Sequence, residues 1–214
     1  MSFVIWLILT VLLLPWDMLE PWSATLPEPG VQTAPFAPVQ VDFQPPQPLG
    51  PIGGEELFAL ASYELEARVL SRRRYWFDWA PAWFGTSASP IDLTVGWGPM
   101  SDSAMTERVT FQNFLRIAFA YSDLPIFQPD TKSQFANMHM IPATGEVRDT
   151  LLDVRTNQTV RMKGYLVELR HDGELIIRSS MSRYDGDNLR DCEIMYVTEI
   201  EVIPIPNALA ATSL

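Results

Sequence analysis

The chain has 214 residues, which is enough for one domain with flanking segments. Its formal net charge of −11 argues against nucleic acid as a partner, because phosphate binding needs a positive surface. Its one cysteine, Cys192, excludes an internal disulfide bond. It also excludes a structural zinc site built from cysteines, since such sites use two to four thiolates.

The first twenty residues are almost entirely apolar. Residues 3–14 contain one polar side chain, and the apolar run continues beyond them with a single charge, Asp17. A helix of this length, at about 1.5 Å per residue, reaches the short end of a bilayer crossing. Trp16 and Trp22 lie where an aromatic belt anchors such a helix. We therefore predict that residues 1–20 are a transmembrane anchor that contacts the lipid bilayer.

Two alternatives to an uncleaved anchor remain open. A cleaved signal peptide is disfavoured because the first residues carry no Lys or Arg and no A-x-A site follows. A buried core helix is disfavoured because prolines separate this segment from the rest of the chain. The sequence contains no Lys or Arg before Arg68, so the positive-inside rule gives little information about the orientation of the anchor in the membrane. A short N-terminal tail stays inside most simply, which predicts a single-pass protein of a bacterial inner membrane with a periplasmic domain.

Residues 21–54 are predicted to form a proline-rich extended linker. Proline disfavours helix and central strand, and it favours the polyproline II conformation. One interpretation is a spacer that holds the domain off the membrane. The other interpretation is that this segment is a strap, which lies along a partner protein. Apolar side chains support it, because they are unusual in a linker that is surrounded by water. The side chains that would bind the partner are Phe36, Val39, Val41 and Phe43.

The pair Gly53-Gly54 suggests a domain boundary, with a globular domain over residues 55–203 and a tail over 204–214. Alternating or apolar runs predict strands at residues 63–69, 91–95, 109–121, 133–141, 159–170, 175–177 and 192–203. Gly164 within one of them suggests a bulge or a close backbone approach. Short helices are predicted at 102–108 and 146–155. The fold class is mainly β, a small antiparallel barrel or bent sheet, with an OB-like barrel as first choice.

Several motifs carry a resemblance to a known group of proteins. They are GWGPMSD at 96–102, NMHMIP at 137–142, SSxxRxD at 179–185 and Cys192-Glu193. Over roughly residues 60–200 the chain resembles a group of bacterial proteins to which no reaction is assigned. The resemblance therefore implies no catalytic, cofactor-binding or metal-binding residue.

The residues that could carry chemistry have simpler interpretations. His139 lies between Met138 and Met140, but in a strand the methionines point away from the histidine, so the three cannot share a metal ion. Cys192 and His139 are formally a nucleophile and a base, yet nothing near Cys192 in the sequence activates its thiol. The acidic turn at 185–188 fails the calcium-loop template because Leu189 occupies the third ligand position. No catalytic residue, cofactor or metal is predicted.

A basic triplet beside aromatic residues is the strongest local oddity of the sequence. Arg72, Arg73 and Arg74 are followed by Trp76 and Trp79 in an otherwise acidic chain. The run fits a contact surface for lipid or an acidic partner, and it fits internal ion pairing and stacking about equally well.

The anchor, the apolar strap and the missing active site together predict a non-catalytic accessory or assembly subunit. Its partners would be other subunits of a bacterial inner-membrane complex, such as a respiratory or photosynthetic one. The alternative is a membrane-anchored periplasmic domain that binds a small ligand or peptide, and an unrecognised enzyme ranks third.

Overall fold

The computed structural model of the chain describes residues 23–75, 88–114, 116–122, 134–182 and 192–204. The predicted anchor and the tail from residue 205 lie outside these ranges. Within them no helix combines the length and the hydropathy of a membrane span. The described protein is mainly β with few helices, which confirms the predicted class.

Nine strands and three short helical segments make up the described fold. The strands are β1 (Val39–Ile52), β2 (Glu55–Arg74), β3 (Ile91–Gly96), β4 (Thr110–Phe114), β5 (Ile117–Tyr121), β6 (Phe135–Pro142), β7 (Thr159–His171), β8 (Glu174–Arg178) and β9 (Glu193–Ile203). The helical segments are a 3₁₀ turn (Gly98–Ser101), α1 (Ser103–Thr106) and α2 (Gly145–Asp153).

The long strand β2 has partners on both of its edges. Its residues 55–64 pair with β1 and residues 68–74 pair with β3, while β7 pairs with residues 56–68 from the other side. The pairings β3–β6, β6–β9 and β9–β7 then lead back to β2. The sheet is not a clean barrel, because β1 and β8 extend beyond this circuit and bulges interrupt several registers.

Two details of the predicted sheet are wrong. The stretch 109–121, predicted as one strand, is a separate hairpin of β4 and β5 that turns at Arg116. The sheet is also not wholly antiparallel, since β6 and β9 run parallel. Parallel neighbours need a long crossover, and α2, β7 and β8 supply it here.

The second half of the predicted linker belongs to the sheet. Residues Val39–Ile52 form β1, and Gly53-Gly54 is the turn of the β1–β2 hairpin rather than a gap between linker and domain. Both glycines have positive φ, as a two-residue hairpin turn requires. Proline lacks a backbone N–H and cannot donate to a neighbouring strand. It is tolerated in β1 because β1 is an edge strand of the sheet.

Apolar side chains cover both faces of the sheet. The larger cluster is built on alternate residues of β2, on Met138 and Met140 of β6, and on Val147 and Leu151 of α2. α2 packs against β6 and β9. The smaller cluster lies on the opposite face and contains Leu57, Ile141, Val167, Leu169 and Ile194. Alternation along each strand thus supplies two cores, and β6 contributes to both.

Gly164 allows β7 and β9 to approach closely, as its place in the sequence suggests. The β7–β9 register shifts between Lys163 and Gly164, and a Cβ at this position would overlap the carbonyl oxygen of Tyr196.

We expect Gly164→Ala to lower the free energy of unfolding by about 3 kcal/mol, because the obstructing atoms are backbone and cannot rotate away. Chemical denaturation of the purified chain in mild detergent measures this change. Gly145→Ala is the matched control, since a Cβ there meets open space. Equal stability of the two variants would contradict the close approach.

Candidate functional site

Polar side chains gather on one face of β3, β6 and β9. Asp92 of β3 lies directly opposite His139 of β6 in the antiparallel pair. Cys192 precedes β9, whose first residue pairs with Met138, so the thiol lies beside this part of β6. Met138 and Met140 pack in the larger core on the opposite face, as the alternation predicts.

Asp92 is the hub of this cluster and is 1% exposed. Its carboxylate lies 2.9 Å from His139 Nδ1 and 3.2 Å from Arg116 Nη1. The hydroxyl of Tyr75 donates to it at 2.8 Å, and the hydroxyl of Ser89 approaches it at 3.4 Å. One buried carboxylate is thus surrounded by two cationic groups and two hydroxyls.

Arg116 covers the cluster from the β4–β5 turn. Its guanidinium lies 4.0 Å from the ring centroid of Tyr75, and Nη2 donates to the Ser89 carbonyl at 3.1 Å. Its φ of 65° is unusual for a residue with a side chain. The backbone conformation that turns the hairpin therefore also delivers a buried cation to Asp92.

His139 is a buried cation at neutral pH. Burial by itself lowers the pKa of His139, but the charge of Asp92 and its hydrogen bond, with a smaller contribution from Cys192, raise it to about 10. The N–H of Nδ1 is not aligned with Asp92, although the two atoms are 2.9 Å apart. We therefore interpret the contact as an ion pair with a bent hydrogen bond. Burial, and Asp92 after it, also raise the pKa of Tyr75, which stays neutral.

Cys192 lies at the half-buried rim of the cluster. Cys192 contributes to the raised pKa of His139, and the Asn137 amide donates to Sγ at 3.4 Å. The same Asn137 nitrogen donates to the Arg116 carbonyl at 3.1 Å. The sequence near Cys192 gave no indication of these neighbours. One signal was available in the sequence: Asn137 and His139 alternate with the core methionines, so both side chains point to the face opposite the larger core.

The predicted strap side chains differ in their exposure to solvent. Phe36, Val39 and Val41 are 77%, 61% and 57% exposed. Phe43 is half-buried, with its ring 6.3 Å from that of Tyr165. Three of the four strap residues predicted to bind a partner are therefore open to solvent in the described structure.

The arginine triplet is largely engaged inside the domain. Arg72 is buried and donates to the Leu152 carbonyl at 3.0 Å. Arg73 donates to the Asn113 carbonyl at 2.9 Å. Arg74 is half-buried. Arg72 and Arg73 thus bind backbone carbonyls inside the domain. Outside the described residues lie Trp16, Trp22, Trp76 and Trp79.

The GWGPMSD motif holds the N-terminal strap against the domain. The N–H of Gly98 donates to the Ala34 carbonyl at 2.7 Å, and the N–H of Gly30 donates to Asp102 Oδ1 at 2.8 Å. Ala34 is completely buried. Residues 23–34 are thus fixed to the domain rather than spacing it from whatever precedes them.

Arg68 connects the strap to the middle of the sheet. Its guanidinium is buried and donates to Ser103 Oγ and to Asn157 Oδ1, each at 2.9 Å. Ser103 in turn donates to the Pro27 carbonyl at 2.7 Å, and Asn157 donates to the Ala24 carbonyl at 3.2 Å. One side chain of β2 therefore positions both groups that bind the strap backbone.

Comparison with known proteins does not extend this description. A scan against protein-family models finds no match, and searches among curated proteins and among solved structures find none. In the described ranges no group of three or more His, Cys, Asp or Glu side chains is arranged to hold a metal ion.

The His139–Asp92 pair predicts a pH dependence of stability. Because the folded pKa of about 10 exceeds the usual value of about 6.5, the contribution is complete below about pH 6.5 and is lost as the pH rises through 10. The difference in unfolding free energy between the native chain and His139→Gln should therefore shrink as the pH rises from about 6.5 to about 10. His171→Gln removes an exposed histidine and should behave as the native chain. A pH-independent difference between native chain and His139→Gln would contradict the ion pair.

Proposed function

We propose that the protein is a membrane-anchored accessory or assembly subunit that docks against other membrane-protein subunits through its N-terminal strap. The observation that carries the proposal is the exposure of Phe36, Val39 and Val41 on a backbone that is itself held by the domain. Side chains of this size are a solubility liability when a rigid segment presents them to water.

The backbone of the strap is pre-organised for binding a partner. Burying each of these three side chains contributes roughly 1.5–3 kcal/mol before the cost of ordering. That cost is small because proline and the contacts with the GWGPMSD motif already restrict the backbone. Within the described residues β1 has no strand on its outer edge, while prolines at 45, 46, 48 and 51 limit strand addition there. The strap therefore suits side-chain docking better than extension of the sheet.

The position of the first strap residues favours a partner that lies within the membrane. Ser23 bridges to Thr156, and the N–H of Ala24 donates to the Thr156 carbonyl at 2.8 Å. With residues 1–20 in the bilayer, only a few residues separate the anchor from this contact. The α2–β7 turn then lies toward the lipid surface, and the exposed strap residues lie within reach of neighbouring membrane subunits. We place the complex in a bacterial inner membrane with the domain in the periplasm, such as a respiratory or photosynthetic complex.

We further propose that the circuit of β2, β3, β6, β9 and β7 is an OB-like barrel. Three features support this assignment: the order of the five strands, the parallel pairing of the third strand with the fifth, and a helix between the third and the fourth. This assignment favours the second candidate function, a domain that binds a small ligand or peptide. OB barrels bind on the face of their second and third strands, which are β3 and β6 here.

The docking proposal predicts that Phe36→Ser combined with Val41→Ser lowers co-purification of partner subunits at least fivefold, because two apolar contacts are lost. Purification from gently solubilised membranes, followed by mass spectrometry, gives the ratio of partner to bait. Leu175→Ser, which removes an equally exposed apolar residue on β8, is the matched control. Unchanged partner yield from the double variant rules out the strap as the docking surface. Recovery of the native chain as a lone monomer favours the ligand-binding candidate.

The anchor proposal is tested separately. We expect the native chain to remain in the membrane pellet after an alkaline carbonate wash and to retain Met1 or Ser2 as its mature N-terminus. Deletion of residues 1–20 should release the domain into the supernatant. A mature chain that begins near Ala24 or Thr25 would show that the segment is a cleaved signal peptide instead.

A further inference from the structure

The exposed strap residues continue into an apolar row that crosses four strands. Residues directly opposite each other in neighbouring strands place their side chains on the same face of a sheet. The registers of β1, β2, β7 and β9 align Val41, Ser62, Tyr165 and Tyr196 in this way. Both tyrosines are half-buried beside the smaller core, and the ring of Phe43 lies 6.3 Å from that of Tyr165. The apolar part of the strap is therefore continuous with the face of the sheet opposite the larger core.

A first charged row lies beside the apolar row. It is two residues further along β1, β2 and β7, which corresponds to about 7 Å. The registers align Val39, Glu64, Lys163 and Glu199 in this row. All four side chains are exposed. An exposed valine thus lies next to a row in which two carboxylates flank one ammonium group.

A second charged row lies beyond the first. Glu66 of β2 is opposite Arg161 of β7, and Arg161 is opposite Glu201 of β9. Arg161 Nη2 lies 2.6 Å from Glu66 Oε1, and Arg161 Nη1 lies 3.0 Å from Glu201 Oε2. Exposed ion pairs of this kind contribute little to stability. The two charged rows together contain four carboxylates and two cations, so their formal charge is −2.

The sequence around the strap carries charge of the same sign. Residues 39–66 contain five carboxylates and no Lys or Arg. A surface of this sign repels anionic lipid headgroups and nucleic acid phosphates. It attracts a partner with basic side chains, and such complementarity favours the correct partner over others. The charges therefore indicate the chemistry of the molecule that covers the exposed valines.

We infer that the strap and this face of β2, β7 and β9 form one docking surface for a basic protein segment. The segment carries apolar side chains beside Lys or Arg. Its apolar side chains pack against Val41 and Tyr165, and its cations lie opposite Glu64 and Glu199. The inference rests on the proposed docking function and adds the chemistry of the partner. The apolar row supplies most of the affinity, and the charged rows select the partner.

A peptide of about seven alternating leucines and lysines is the first probe. Fluorescence anisotropy measures its binding to the full chain in mild detergent at about 0.15 M salt. We expect it to bind at least tenfold more tightly than a peptide of alternating leucines and glutamates, because the docking surface attracts cations and repels anions. Equal affinity for the two peptides overturns the inference, and this comparison requires no variant.

Charge reversal tests the position of the binding surface. Glu64→Lys combined with Glu199→Lys should weaken binding of the basic peptide about tenfold, because two attractive contacts become repulsive. Asp149→Lys combined with Glu174→Lys is the matched control. Both carboxylates are exposed, one on α2 at the larger core and one on β8, and their exchange alters the net charge equally. Salt screens distant charges, so the control should lose less than about twofold. Equal losses would show that only net charge attracts the peptide, which overturns the inference.

Carbodiimide coupling locates the bound peptide. The reagent joins a lysine amine of the peptide to a carboxylate that it contacts, and mass spectrometry identifies the modified residue. The main products should lie on Glu64 and Glu199. A main product on a carboxylate outside the two charged rows overturns the inference. A product that joins Lys163 of one copy to a carboxylate of another identifies a second copy of the chain as the occupant, which also overturns it.

Co-purification from membranes separates this inference from the docking function. Glu64→Lys combined with Glu199→Lys should lower the ratio of partner to bait at least fivefold, as expected for Phe36→Ser combined with Val41→Ser. If only the serine variant loses its partners, the strap docks but the basic chemistry of the partner is wrong. If neither variant loses them, the docking function itself fails. Intact near-ultraviolet circular dichroism shows that each variant is folded.

Discussion

The whole sheet depends on the double pairing of β2. One strand of twenty residues carries β1 and β3 on one edge and β7 on the other, so three parts of the chain are aligned by a single backbone. The alternation of its side chains then fills the larger core, from Ala61 to Val69. A bulge between Val69 and Ser71 interrupts the pairing of β2 with β3, and bulges of this kind bend a strand.

The same strand explains how an N-terminal segment rich in proline becomes ordered. Arg68 lies in β2, and its guanidinium can donate several hydrogen bonds in fixed directions. Two of these reach Ser103 and Asn157, which bind the strap at Pro27 and Ala24. A buried arginine without such acceptors would be costly. The hydrogen bonds that Ser103 and Asn157 donate to the strap therefore also hold these two acceptors in place for Arg68.

Much of the fold could be predicted from the sequence because alternation is a local property. The strands around Tyr63, Leu93 and Val160 follow from their apolar periodicity, and the position of Gly164 indicated a close approach. The parallel pairing of β6 with β9 depends on a crossover and leaves no local signature. The hairpin at Arg116 was missed because arginine is not one of the residue types that indicate a turn in a sequence, although its φ here is positive.

The candidate site was harder to predict for the same reason. Asp92, Arg116, His139 and Cys192 are separated along the chain, and three strand pairings bring them together. Alternation shows that His139 points away from Met138, but it does not identify what His139 faces. The basic triplet was ambiguous because composition does not distinguish an exposed arginine from one that binds a buried carbonyl, as Arg72 does.

The contact between Ala24 and Thr156 has a consequence for how the protein would meet its partners. A domain on a long tether explores a hemisphere of positions above the lipid, and most of its encounters have the wrong orientation. With the proposed anchor in the bilayer, a domain fixed directly after it would move in two dimensions and would present the same face at nearly constant height. Its effective concentration toward a neighbouring subunit can then reach the millimolar range without any additional contact. Weak contacts through a few side chains would be sufficient for lasting association.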